Sequence, residues 1–331
     1  MASIERTAYP RYRRFLTPHE LRTNYTLTED ECIWLDSVTR GDNGQLCCAL
    51  LLKAAQHLHY FPALKEIPPA IIEHLRVTLD LPPTTTPTVS TRTLYTYHRL
   101  IRQRLGFISH GMTVRHLAAV AVHRSAQVMD NRADLINVAI EELVEQQAEL
   151  PAFSTLNRLT RRVRAVVNAG YFQRVLARLT LDEQHRLDAL LVPDQEGRTL
   201  YNQLKRIPKR ASYSHLDEWL THLQWLDSLG DFRSHLEGIP LLKLQHFAAE
   251  AKPLDASEMA DLRTPHRLTV LAALITHAQA KARDGLVELF RKRMAAFHKM
   301  ARVRLEKLQL AHQEEIDRLI EGLNKVKRFL L

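Results

Sequence analysis

Between Pro151 and Arg178 the chain carries six arginines (Arg158, Arg161, Arg162, Arg164, Arg174 and Arg178) and no acidic residue. A guanidinium group meets phosphate through paired N–H donors, and on duplex DNA it also binds guanine through two bonds. Asn157 offers the matching pair of bonds to adenine. Ser154 and Thr155 are short and polar, which would let a helix N-terminus come close to a phosphate. Such chemistry is recognition rather than bond breaking. An acid-poor helix face in solvent is the plain alternative for the same residues.

A second basic stretch runs from Arg92 to Arg104. Tyr95, Arg99 and Arg102 fall on one side at i, i+4, i+7 spacing, with Arg104 close by, while Leu94, Ile101 and Leu105 point inward. That face would grip a nucleic-acid backbone, and it fits a solvated face equally well. Asn43 is a further candidate contact. Arg11, Arg13 and Arg14 read either as an arm lying in a groove or as an unstructured tail.

Catalytic constellations are missing. The chain contains no GxxxxGK[ST], GxGxxG, HExxH or GxSxG motif. His57 and His59 are two apart on an expected helix and so point to different faces. His110, His116 and His123 are scattered without paired carboxylates, and Glu141-Glu142 and Glu314-Glu315 read as helix surface. Cys47 and Cys48 are adjacent, which rules out a CxxC pair, so with Cys32 they read as buried thiols in a reducing cytosol. The expectation is no catalytic residue, no metal site and no cofactor in these residues.

These side chains must be positioned by helices. Of 331 residues only 10 are Gly, while 53 are Leu. Tight turns and hairpins draw on Gly, and Leu favours helix, so the fold class expected is all-α. Length suggests about two domains, with three still open. Lys plus Arg exceed Asp plus Glu by 46 to 37, a net charge of +9 that points to an anionic partner, nucleic acid before membrane. No apolar run reaches the roughly 18 residues of a membrane span. Glu5, Arg6 and the early arginines have no apolar signal core behind them, so the expected location is the cytoplasm.

Helical periodicity begins after residue 27, where Thr28 with Glu29, Asp30 and Glu31 makes a helix start. Gly41-Asp42-Asn43-Gly44 breaks that helix, and two more follow to Tyr60 and from Ala70 to Leu79. Three prolines among threonines make 81–90 the clearest linker. Further helices are expected at 91–105, 112–129, 131–149, 155–178, 181–191, 198–206, 214–229, 240–251 and 264–283, with breaks at Pro193, Pro208, Gly238-Ile239-Pro240 and Pro265. Leu150 to Phe153 would form a short turn, with Ser154 capping the basic helix beyond it. From Asp284 one long helix carries Ile316, Leu319, Leu323, Val326 and Leu330 at three-and-four spacing.

Several blocks together resemble a family, the N-terminal third of the cointegrate-forming, replicative transposases of the Tn-three type. They are Asn24-Tyr25-Thr26-Leu27 with Arg40-Gly41-Asp42-Asn43, Arg99-Leu100-Ile101-Arg102 with Leu105-Gly106-Phe107, and Leu150 through Leu159. Leu223-Gln224-Trp225-Leu226 with Leu229-Gly230, Gly238-Ile239-Pro240 and the stretch Arg267 to Ala272 extend the likeness along nearly the whole chain. Gly44-Gln45-Leu46-Cys47 and Ile108-Ser109 depart from the family pattern, where more basic residues are common.

The resemblance implies sequence-specific binding of double-stranded DNA at transposon terminal inverted repeats. It places the DDE chemistry, with its Mg2+, in an RNase H-like region after residue 331, so this chain itself is expected to be no enzyme. The domains expected are 1–84 and 85–179 as successive DNA-binding domains, the second of helix-turn-helix type, then 180–283 as a positioning domain. Residues 284–331 would serve homodimerisation or lead to the catalytic region. A nucleoid-associated bacterial protein is the corresponding location. Two alternatives stand beside this reading: a helical scaffold whose basic faces bind acidic proteins, and a transposase relic that regulates transposition by occupying the ends.

Overall fold

The computed structural model describes residues 3–205 and 216–330, with the side chains of 328–330 outside that description. The fold is all-α. Among the described residues there are fourteen α-helices and no strand, and the chain divides by its contacts into Met1–Tyr171 and Phe172–Leu331.

The first unit begins with a helix that the sequence reading places in irregular chain, α1 (Pro18–Tyr25). Its start was legible. Thr17 accepts from the Glu20 N–H while the Glu20 carboxylate accepts from the Thr17 N–H, a capping box with proline in the first turn. The same device opens α2 (Glu29–Val38) at Thr28 and Glu31, where the sequence leads one to expect a helix start. Then come α3 (Asp42–Leu58), α4 (Pro69–Thr78) and α5 (Thr91–Leu105). Helix α3 is the centre of this unit, with Leu46 through Leu52 and Leu58 buried along it. It starts at Asp42, so only Gly41, at φ 71°, breaks the chain there. Gly44 lies inside α3 because a Cβ would come within 2.7 Å of the Tyr97 hydroxyl. Tyr97 and Ile101 of α5 enter the same core as α3, with 81–90 crossing between as non-helical chain.

Helices α6 (Gly111–Ala126) and α7 (Arg132–Glu145) pack along each other. Gln147, at φ 51°, ends α7 four residues short of the expected 149. The connection to α8 (Phe153–Arg178) is therefore residues 146–152, longer than the short turn anticipated, and Ser154 falls inside the first helical turn rather than before it. The extra length is used for pairing. The Ile108 N–H donates to Gln147 and the Glu149 N–H to Ile108, each at 3.0 Å, and the Leu150 N–H donates to His59 at 2.7 Å.

The second unit contains α9 (Leu181–Ala189), α10 (Leu200–Leu204), α11 (Leu216–Ser228), α12 (Leu241–Glu250) and α13 (Ala256–Ala260) around α14 (Thr264–Leu330). The expected break at Pro208 lies outside the described residues. Nothing interrupts α14 at Asp284, where the sequence reading divided it. Gly285 keeps its place in the helix because a Cβ there would stand 2.3 Å from Trp219, so the indole packs directly on the α14 backbone. Beyond Leu289 no described side chain of α14 is buried, and Ile316, Leu319, Leu323 and Val326 all face solvent.

Candidate nucleic-acid interface

The helix that carries the arginine run is fixed by its other face. Leu156, Thr160, Val167, Asn168 and Tyr171 of α8 are buried. At its start, Tyr9 packs edge-on against Phe153 at 5.8 Å and donates its hydroxyl to the Pro151 carbonyl at 3.0 Å. Further along, Tyr171 donates to the Gln127 carbonyl at 2.9 Å. Asp130, before α7, accepts from Arg164 at 2.7 Å and from Asn168 at 2.9 Å. The recognition candidates thus lie on an element that the N-terminal segment, the α6–α7 connection and the α7–α8 connection all hold.

The exposed face of α8 mixes arginines with small and apolar residues, Ala165, Val166, Ala169 and Gly170 among them. Ser154, Arg158, Arg161 and Arg162 reach solvent, and no ion pair within the described residues engages these three arginines. Thr155 is half-buried beside a cavity of about 260 Å3 that also touches Arg102, Arg115 and Glu149. Asn157 turns its Oδ1 into the protein, where it meets no hydrogen-bond donor. Arg164 is partly exposed and pairs with the buried Asp130 carboxylate.

Arg132 was not singled out by the sequence. It occupies the first turn of α7, behind the Asn131 cap, and a cation there opposes the helix dipole. Burial first, then the charges of Arg164 and Arg161, hold its guanidinium below the ordinary value. Arg132 therefore lies within reach of the charges of both Arg164 and Arg161. A local rule broken in this way is a usable signal in the sequence, and here it marks the place where positive charge converges.

On α5 the candidates separate into two groups. Arg92, Tyr95 and Arg99 are exposed. Arg102 binds Glu149 through two bonds of 2.6 and 3.0 Å and stands 5.0 Å over the Phe61 ring. Arg104 pairs with Asp30 and covers Trp34 at 4.9 Å. The regular spacing of Tyr95, Arg99 and Arg102 does not distinguish a free cation from a neutralised one, because the acid partners come from elsewhere in the chain.

The N-terminal candidates are similarly divided. Tyr9 and Tyr12 pack inward, so 9–12 is held against the protein and not a loose arm. Arg13 pairs with Glu20, Arg14 lies 5.6 Å from the Phe15 ring centre, and Arg11 is exposed. Asn43 is exposed but committed, its Oδ1 accepting from the Thr86 N–H at 3.1 Å, which ties the 81–90 segment to α3.

Among the described residues no three His, Cys, Asp or Glu side chains gather as a metal site, and no helix is long and apolar enough to cross a membrane. Burial pushes the Cys47 and Cys48 thiols up to about 12, as inert core groups.

Comparison with known proteins places this interface in context. Residues 1–163, which include α1 to α7 and the start of α8, match a family described as a domain of unknown function (DUF4158). Over 97% of its length the chain is 20% identical to a protein of Enterococcus faecium named as the transposase for transposon Tn1546. The chain spans 34% of that relative's length.

Proposed function

We propose that residues 3–171 form a reader of double-stranded DNA, specific for the terminal inverted repeats of a transposon, and that the chain is the recognition part of a replicative transposase of the Tn-three type. The observation that carries this reading is the arginine cluster on α8. Arg158, Arg161 and Arg162 are exposed and unpaired among the described residues, and Arg132 sits within reach of the Arg161 charge. Exposed guanidinium groups that outnumber the acids beside them raise the energy of the free protein, and a polyanion relieves it. The named transposase relative supports the choice of DNA over other polyanions.

In this account the exposed edge of α8 enters a major groove, with Arg158 and Ser154 nearest the bases and Arg161 and Arg162 on phosphates. Arg92, Tyr95 and Arg99 of α5 hold a neighbouring stretch of backbone, and Arg11 adds a further phosphate contact. Arg102, Arg104, Arg13 and Arg164 are engaged by the protein's own carboxylates. The strand-transfer chemistry belongs to the rest of a full transposase, and the exposed apolar stripe of α14 pairs two copies.

Hydroxyl-radical footprinting on a transposon end tests the assignment. Protection covering about one helical turn, lost when Arg158, Arg161 and Arg162 are changed to Ala together, supports it. An unchanged footprint in that variant overturns it.

A further inference from the structure

The second unit contains a cavity of about 200 Å3 between the end of α10, α11, the segment after α12 and α14. Lys205, Lys252 and Lys281 line it together with His222, His277 and Trp219, and its other walls are leucine and alanine. Among the described residues none of its lining side chains is acidic. His277, Ala278 and Lys281 follow at three-and-four spacing on one face of α14, so the helix presents an imidazole and an ammonium group to the same space.

The three lysines differ. Lys205 donates to the Leu254 carbonyl at 2.6 Å and stands 4.4 Å over the Tyr201 ring, with Asp255 and Glu258 near enough to offset its charge. Lys252 and Lys281 are exposed and have no ion-pair partner among the described residues. Burial, and then the charges of these two lysines, push the His277 imidazole below its ordinary value. Both ammonium groups are therefore close to that ring. On the other side of the cavity Glu218 is the acid that acts on His222.

A ligand that suits this space must satisfy both of its characters. Inorganic phosphate would leave the apolar walls unused, and a neutral hydrophobe would leave two ammonium groups without a counterion. Trp219 is a rigid wall, since its ring packs on Gly285 with no room for a side chain between. The volume matches a single heteroaromatic ring system. We propose that this cavity binds one nucleotide, with its base against Trp219 and its phosphate between Lys252 and Lys281. The nucleotide is either free or an unpaired residue of a DNA strand. This inference is independent of the duplex-binding face on α8, and either one stands without the other.

The test is calorimetric titration of the full chain with deoxyadenosine monophosphate, deoxyadenosine, inorganic phosphate and a five-nucleotide single strand. It is run on the wild type and on the Lys252→Ala/Lys281→Ala double variant. Both lysines are exposed, and circular dichroism verifies that the variant keeps its fold. The monophosphate should bind the wild type and lose at least about tenfold in affinity in the double variant, as expected for removing two charge-assisted contacts. Deoxyadenosine and phosphate should each bind much more weakly than the monophosphate. Binding of the single strand alone, lost in the double variant, keeps the same chemistry and assigns the nucleotide to DNA. Equal binding of nucleoside and nucleotide, phosphate as tight as the nucleotide, an unaffected double variant, or no binding of either nucleotide probe overturns the proposal.

Discussion

Arg164 donates to the Asp130 carboxylate at 2.7 Å, and Asn168 takes the other carboxylate oxygen at 2.9 Å. The Asp130 side chain is 1% exposed, so one turn of α8 is locked to the residue that precedes α7. The pair fixes α8 against the connection between α6 and α7.

Arg164→Ala is expected to act on stability before it acts on DNA. It leaves a buried carboxylate with Asn168 as its remaining donor in that pair, at a cost of about 2–3 kcal/mol. Urea unfolding measures this. A variant as stable as the wild type but weakened on every duplex alike would instead return Arg164 to the phosphate-binding set.

Arg158→Ala and Arg162→Ala should separate base reading from phosphate binding. The first is expected to cost about 1–3 kcal/mol on the cognate duplex and to relax preference at one position. The second is expected to weaken all duplexes similarly and to reduce the slope of log affinity against log salt by about one. Binding titrations across salt concentrations check both, and two variants that bind like the wild type would remove the α8 assignment.

Glu31 gives the pH dependence a definite sign. Burial pushes its carboxyl up, but Lys53 at 2.7 Å, the Thr28 N–H and the Gln56 amide more than offset this, leaving it below its ordinary value of 4.5. A carboxylate depressed in the folded state contributes stability that is complete above its unfolded value. That stability is lost as pH falls through the folded value. Wild-type unfolding midpoints should therefore drop between about pH 5 and about pH 3, and Glu31→Gln should be less stable at neutral pH with a shallower acid slope. An identical slope in the variant would show that other carboxylates govern acid unfolding.

The apolar stripe of α14 predicts self-association. Leu319 and Leu323 are 65% and 70% exposed, unusual for leucine along a long helix that nothing in the described chain covers. Sedimentation equilibrium should show a concentration-dependent dimer that Leu319→Glu with Leu323→Glu abolishes. A strictly monomeric mass at high concentration would contradict the pairing.

Helix types were readable because Leu and Ala fall at helical period and Gly is scarce, although Gly44 and Gly285 lie inside helices where a neighbouring ring leaves no room for a Cβ. Helices α5 and α9 begin where the spacing predicts, at Thr91 and Leu181. Helix α1 was overlooked although Thr17-Pro18-His19-Glu20 carries a complete capping signature, because the surrounding arginines and aromatics hid it. The site was less legible than the fold. Arg99 and Arg102 look alike in the sequence, yet Arg102 is neutralised by Glu149, 47 residues away. Charge density along a chain counts residues, whereas recognition depends on which charges remain without partners, and that is decided by tertiary contacts. Arg132 shows the reverse case, an ordinary residue locally that gains importance from Arg161 and Arg164 across the packing.

The central claim is sequence-specific duplex recognition, and a competition titration tests it most directly. The chain is titrated at near-physiological salt against duplex from the end of the proposed transposon, with a shuffled duplex of equal composition as competitor. The account predicts a preference for the end of at least about a thousandfold. Equal, salt-sensitive affinity for both duplexes would contradict it and reduce the arginine face of α8 to a general polyanion surface.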